Sequence, residues 1–231
     1  MSKYQLTMGK DLDLKAEQAK SLASPLLPAN IILRIMFMAM DVIYGQARTL
    51  PKFLVIEILA RYPYWAWENR AYIWFTKLYT RAGWVRKPDS DRLVRLIELG
   101  RKSQDNEQHH MLIIEDIMRQ KDIRLSLVRR RLLPKLLACG YFFLTRAMFF
   151  VRPAWSFAMN ARFESHAEHE YMKMVAEHPE WDNELVETAY FEYYPRQKTM
   201  ADLFRRIGLD ERDHMHESME YWEYLTGREF K

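Results

Sequence analysis

The stretch Asp210-Glu211-Arg212-Asp213-His214 decides how this sequence is read, together with its counterpart Asn106-Glu107-Gln108-His109-His110. In each, a Glu is followed three residues later by a His. On a helix, positions i and i+3 share one face a turn apart, so each carboxylate and imidazole can meet at one point. One such spacing is unremarkable in a chain with seven histidines. Its context gives it meaning.

Two further carboxylates sit inside apolar stretches. Glu57 lies in Phe53-Leu54-Val55-Ile56-Glu57-Ile58-Leu59, and Glu164 closes Met159-Asn160-Ala161-Arg162-Phe163-Glu164. Successive intervals from Glu57 through Glu107 and Glu164 to Glu211 are 50, 57 and 47 residues. In a bundle, points at one height recur after about one helix and its connections. The longer middle interval leaves room for an extra helix, expected to cross over the end of the bundle. The order Glu, Glu-x-x-His, Glu, Glu-x-x-His is that of ferritin-like di-iron and di-manganese proteins. The physical reason is charge, because four carboxylates converging in an apolar core repel and cannot all stay ionised. Two metal cations remove that conflict, and mixed imidazole and carboxylate ligation suits iron. For Glu57 alone, a buried ion pair with Arg61 at i+4 is an equally open reading at this point.

The remainder of the chain supports a helical frame. It has 231 residues, 49% of them hydrophobic, which excludes disorder and suffices for a real core. Cys139 is the single cysteine, so no intrachain disulfide framework exists. Residues 1–20 mix Lys with Asp and Glu and carry no apolar signal core. The longest uninterrupted apolar run is residues 35–40, so no membrane-spanning segment is expected. Pro and Gly fall at joints, and six helices are predicted: 31–44, 51–81, 88–119, 123–150, 153–178 and 195–225. The second should kink at the internal Pro63 and end before Gly83. The expected fold is all-α: a ferritin-like four-helix bundle with a di-iron core plus two membrane-facing helices, monotopic. Residues 1–30 are expected to form a polar N-terminal arm and 31–231 a single helical di-iron domain.

Four strings carry a resemblance to a known family. They are Ile56-Glu57-Ile58-Leu59-Ala60-Arg61-Tyr62-Pro63-Tyr64, Asn106-Glu107-Gln108-His109-His110, Glu164-Ser165-His166-Ala167 and Asp210-Glu211-Arg212-Asp213-His214. In this order they resemble the alternative oxidases, membrane-bound di-iron quinol oxidases, and most closely the plastid terminal oxidase branch. The resemblance implies Glu57, Glu107, Glu164 and Glu211 as iron ligands, with His110 and His214 at or beside two iron ions. It implies a catalytic role for Tyr171, which matches the family's essential tyrosine, and assigns Asn106 and Asp210 to orienting the ligands. It also implies a homodimer. Two positions depart from the family pattern near the quinol pocket: Lys52 stands where Arg is usual, and Glu170 where Thr is usual. Lys keeps the charge but loses the planar fork, and Glu170 adds a carboxylate.

The fourth predicted helix points to a membrane independently. Spaced at 100° per residue, Arg124, Arg131, Lys135 and Arg146 fall in one narrow sector with Arg152 nearby, and the broad remainder is aliphatic and aromatic. Such a helix lies in a bilayer interface with its cations among head groups, and the stretch 31–40, interrupted by Arg34, is expected beside it. Nucleic acid is not an expected partner, since 31 acidic residues are interspersed among 35 basic ones. The expected activity is oxidation of quinol with reduction of O₂ to water at the di-iron centre, without proton pumping. The expected placement is the cytoplasmic face of a bacterial inner membrane. A di-iron hydroxylase or desaturase acting on a lipid-soluble substrate, and a ferritin-like iron-binding protein, stay open as alternatives.

Overall fold

A computed structural model describes residues 4–82 and 84–230. The expected joint Gly83, residues 1–3 of the expected arm and Lys231 lie outside the described residues. Seven α-helices are present among the described residues: α1 (Leu14–Ala23), α2 (Ile31–Tyr44), α3 (Leu50–Ala82), α4 (Lys87–Gln120), α5 (Leu133–Val151), α6 (Pro153–Glu177) and α7 (Met200–Thr226). No strand occurs among them, only an isolated bridge between Leu185 and Thr199. The fold is all-α, as expected.

Local chemistry explains most boundaries. Asn30 caps α2 by accepting from the Leu33 N–H at 2.9 Å, and Pro88 and Pro153 stand in the first turns of α4 and α6, where a missing N–H costs nothing. Pro63 sits within α3 without ending it. The helix predicted over 123–150 is divided instead. Residues 123–126 are irregular, a π turn covers Val128–Leu132, and α5 begins at Leu133. Pro134 is the cause, since it has no N–H and its ring crowds the carbonyl four residues back, which a wider turn relieves. The last helix starts at Met200 rather than Pro195, because Thr199 caps it by accepting from the Asp202 N–H at 3.2 Å. The polar arm contains α1, capped by Asp13 and laid against α6 and α7, with Glu17, Gln18 and Ser21 buried.

The four long helices α3, α4, α6 and α7 form the bundle. α3 pairs antiparallel with α4 and α6 with α7. Each pair closes at a glycine: a Cβ on Gly100 of α4 would lie 2.9 Å from the Tyr64 carbonyl of α3, and one on Gly208 of α7 would lie 3.2 Å from Tyr171 Cβ of α6. The extra helix does not cross over the bundle's end. α5 runs the length of its side, from Val55, Ile56 and Leu59 at Ala138 and Tyr141 to Trp67 and Trp74 at Phe149. At about 1.5 Å per residue it is long enough to return the chain to the far end. That return makes α6 antiparallel to α3 and brings Glu164 to the height of Glu57.

The core divides at mid-height. One apolar cluster around Phe53, Ile114, Trp181 and Phe204 fills one end, and another around Tyr64, Trp67, Leu96 and Phe157 fills the other. Between them lies the polar site. On the outside, α5 buries Pro134, Ala138, Tyr141, Thr145 and Phe149 and exposes Leu136, Phe143, Phe150 and Val151. Beside it α2 exposes Ile31, Ile35, Met38 and Val42. The segment Val128–Val151 is long and apolar enough to cross a membrane by length and composition, which corrects the expectation that no segment qualifies. Its charges interrupt each apolar run without lowering the segment below that threshold. Arg131, Lys135, Arg146 and Arg152 are exposed along it, but Arg124 lies in the irregular segment and pairs with Asp122, outside any helical stripe.

Candidate metal centre

Glu57 of α3, Glu107 and His110 of α4 and Glu211 of α7 each turn one ligand-type atom into a shared volume, all within 4.8 Å of one another. All four are at most 1% exposed. They converge because each sits at mid-height of its helix, on the stripe facing the bundle axis. The His110 Nδ1 atom lies 3.2 Å from Glu57 Oε2, 3.1 Å from Glu211 Oε1 and 3.6 Å from Glu107 Oε2. Glu164 and His214 flank this group, Glu164 bonded to Tyr64 and Asn160, and His214 with its Nε2 3.5 Å from Glu107 Oε1. All six expected ligand residues are therefore buried in one neighbourhood. The open ion-pair reading of Glu57 fails, because Arg61 turns away and donates to Gln108.

The expected orienting residues are also in place, and they act across the bundle. Asp210 of α7 accepts from His110 Nε2 of α4 at 3.2 Å, and Asn106 Oδ1 of α4 accepts from His214 Nε2 of α7 at 2.8 Å. The Tyr171 hydroxyl donates to Glu57 Oε1, its ring held between Phe53 and Phe204.

Without a cation this arrangement is electrostatically costly. Burial raises the Glu107 and Glu164 carboxyls, and repulsion from Glu211 and Glu57 pushes both further, well above the ordinary range. Burial and Glu57 raise Glu211 as well. For Glu57 burial acts the same way, but donation from His110 and Tyr171 holds it below its usual value. Burial disfavours charge on His110, yet Tyr194, Asp210 and the surrounding glutamates raise it well above an ordinary histidine. Burial would also raise Asp210, but His110, Arg206 and Tyr194 bring it down to about 2. Neither oxygen of Glu107 has a hydrogen-bond partner, nor does Glu164 Oε2. Buried carboxylate oxygens left unpaired around an imidazole are what a cation would satisfy, and O and N donors of this kind suit iron or manganese. The residues present fit a metal.

Lys52 and Glu170 stand apart from this centre. Lys52 Nζ donates to Asp41 and, at 3.1 Å, to the Gly45 carbonyl. Glu170 accepts from Arg48 Nη2 at 3.1 Å and from Lys173 at 3.2 Å, so its charge is compensated rather than free. Both pairs lie around His166, whose ring stacks on Phe37 at 3.9 Å and which burial lowers to about 4.

Several residues at the centre escaped the sequence reading. Tyr64 donates to Glu164 Oε1 at 2.8 Å, and Asn160 Nδ2 lies 3.0 Å from the same oxygen. Arg206 and Tyr194 hold Asp210, at 2.7 and 2.6 Å. Three of these carry a helical signal, since Tyr64 follows Glu57 by seven residues, Asn160 precedes Glu164 by four and Arg206 precedes Asp210 by four. Tyr194 lies in an irregular segment and carries none.

Comparison with known proteins agrees with this geometry. Over 136 residues the chain is 28% identical to ubiquinol oxidase 4, chloroplastic/chromoplastic, of Arabidopsis thaliana; the match covers 59% of this chain and 34% of that protein. The chain thus spans about a third of the length of the curated relative it matches. The family model described as alternative oxidase matches residues 20–221, and with a match of that extent the chain belongs to the alternative oxidase family.

Proposed function

We infer that the protein is a monotopic membrane enzyme that oxidises a quinol and reduces O₂ to water at a di-iron carboxylate centre. The observation that carries this reading is the buried group of Glu57, Glu107, His110 and Glu211, in a chain of the alternative oxidase family. In this reading Glu57, Glu107, Glu164 and Glu211 are the carboxylate ligands, and His110 and His214 complete the two positions. Iron held there supplies the electron-accepting and O₂-reducing capacity that no side chain of the site has alone.

The remaining work belongs to the polypeptide. Asp210 and Asn106 fix the two imidazoles, and Tyr171 holds Glu57 through its hydroxyl. Tyr171 also joins the centre to the face of α6 that carries Glu170 and His166. The quinol head group is assigned to that face, between α2 and α6, against the edge of the Phe37–His166 stack. The Lys52–Asp41 and Glu170–Arg48 pairs border this face and balance its charge. Two quinols release four electrons and four protons, and one O₂ takes up both to form two waters, so the reaction needs no proton pumping. The exposed apolar faces of α2 and α5, with Arg131 and Lys135 at their edge, support an interfacial attachment through which a lipid-soluble quinol arrives. A homodimer on the cytoplasmic face of a bacterial inner membrane completes the reading.

The test is oxygen uptake by purified, iron-loaded protein in liposomes containing quinol, with a product count. Two quinols consumed per O₂ with no oxygenated product is the expected result. An unaltered quinol together with an oxygenated lipid would replace the oxidase with a hydroxylase.

A further inference from the structure

Seven residues separate Glu164 from Tyr171 on α6, and seven separate Glu57 from Tyr64 on α3. Two helical turns return each tyrosine to nearly the face of its own glutamate. Because α3 and α6 run in opposite directions, the two tyrosines cross. Tyr171 donates to Glu57 on the other helix, and Tyr64 donates to Glu164 at 2.8 Å. The sequence places Tyr171 at the site without naming its partner, and assigns Tyr64 no role.

The second contact constrains Glu164 in a specific way. Tyr64 is fully buried, and its oxygen also accepts from Asn160 Nδ2 at 3.0 Å. Asn160 in turn reaches Glu164 Oε1 at 3.0 Å and Ser218 Oγ of α7 at 3.1 Å. Two donors therefore converge on Oε1, while Oε2 of the same carboxylate has no partner. A carboxylate held this way presents one oxygen to a metal, whereas Glu107, with both oxygens unpartnered, presents two.

We propose that Tyr64 is a positioning residue for the metal centre, which with Asn160 holds Glu164 as a one-oxygen ligand of the metal position nearer α6. This rests on the metal-site reading given above. Residues that hold a ligand in this manner cost about 10–100-fold in metal affinity when removed.

The experiment is an anaerobic Fe(II) titration of the purified full chain, followed by optical and EPR spectra of the loaded protein. Tyr64→Phe is expected to weaken one of two equivalents by about 10–100-fold, leave the other near wild type and alter the spectrum of the loaded pair. Trp67→Phe serves as the control. Trp67 is equally buried and donates to Ser156 at 2.8 Å one turn away, so its loss perturbs packing without touching Glu164. Two wild-type equivalents and an unchanged spectrum in Tyr64→Phe, with Glu164→Ala losing one equivalent, would overturn the proposal and leave the site assignment standing. Two wild-type equivalents in Glu164→Ala would overturn both. If Tyr64→Phe does not fold, Asn160→Ala, which keeps the ring, decides: a weakened equivalent supports the proposal and wild-type binding refutes it.

Discussion

The α3/α4 pair and the α6/α7 pair are near mirror images at the centre, and they differ where it matters chemically. Each pair brings a Glu with a Tyr two turns later, and a Glu-x-x-His preceded by a polar residue. Each imidazole reaches across to the polar residue of the opposite pair. His214 of α7 meets the neutral amide of Asn106, whereas His110 of α4 meets the carboxylate of Asp210, itself held by Arg206 and Tyr194. A carboxylate behind an imidazole raises its basicity, and an amide does so far less. Twofold backbone geometry with unequal partners gives the two imidazoles unequal surroundings. One difference lies outside the bundle as well, since α1 of the N-terminal arm packs on α6 and α7.

The largest expected effect falls on the residue that faces the imidazoles of both halves. Glu107 faces both imidazoles, at 3.6 and 3.5 Å, so Glu107→Ala should abolish turnover and lower metal affinity by more than about 100-fold. Metal analysis after gel filtration checks this, and full loading would remove the basis for a shared centre. Next, Asp210→Asn makes the halves alike. It should cost about 10–100-fold in metal affinity and, by stranding the buried Arg206, about 3–5 kcal/mol of stability. Asn106→Asp, with no second arginine to leave unpaired, should cost less stability in the same denaturation experiment. If the two variants behave identically, the asymmetry has no chemical content.

Smaller effects test the outer difference. Deleting residues 1–10 removes the donors of the buried Asp213 carboxylate and should cost about 1–3 kcal/mol. Hydrogen exchange should then quicken in α7 and stay unchanged in α4. The smallest effect is at Glu170. Burial raises this carboxyl, but Arg48 outweighs burial and holds it below its usual value. Its contribution is therefore complete above about pH 4.3, the unfolded value, and is lost as pH falls through the lower folded value. Glu170→Gln should flatten that acid limb of the stability curve by at most about 1 kcal/mol, as for a partly exposed pair. A steeper acid limb would mean the Arg48 pairing does not hold in solution.

Legibility in the sequence followed helical periodicity. The buried group of Glu and His was readable because each Glu and His repeats a spacing that a helix turns into a shared face, and α2, α3 and α4 begin and end within a residue of their predicted bounds. Tyr64 follows Glu57 by the same seven residues as Tyr171 follows Glu164, but it is the family resemblance, not that offset, that singles out Tyr171. What periodicity does not encode stayed hidden. The π turn before Pro134 depends on one missing N–H, the late start of α7 on one threonine hydroxyl, and the Tyr194–Asp210 contact on an irregular segment folding back. The side-on course of α5 follows from the direction α6 must take, a constraint visible only with all four bundle helices in place.

The clasp of the arm on α7 has its own consequence. Asp213 is satisfied by the backbone N–H groups of Thr7 and Met8, at 2.8 and 2.6 Å, and Arg206 donates to the Thr7 carbonyl at 3.3 Å. The Thr7 hydroxyl, 2.7 Å from Arg206, adds a side chain to this contact, and elsewhere Tyr4, Glu17, Gln18 and Ser21 hold α6 and α7 by their side chains. Every residue but proline carries an amide hydrogen. The bond to Asp213 is thus set by the path of the main chain, so it survives a change of side chain at position 8 while the rest of the arm's hold depends on its letters. Proline at position 7 or 8 is the substitution this arrangement forbids.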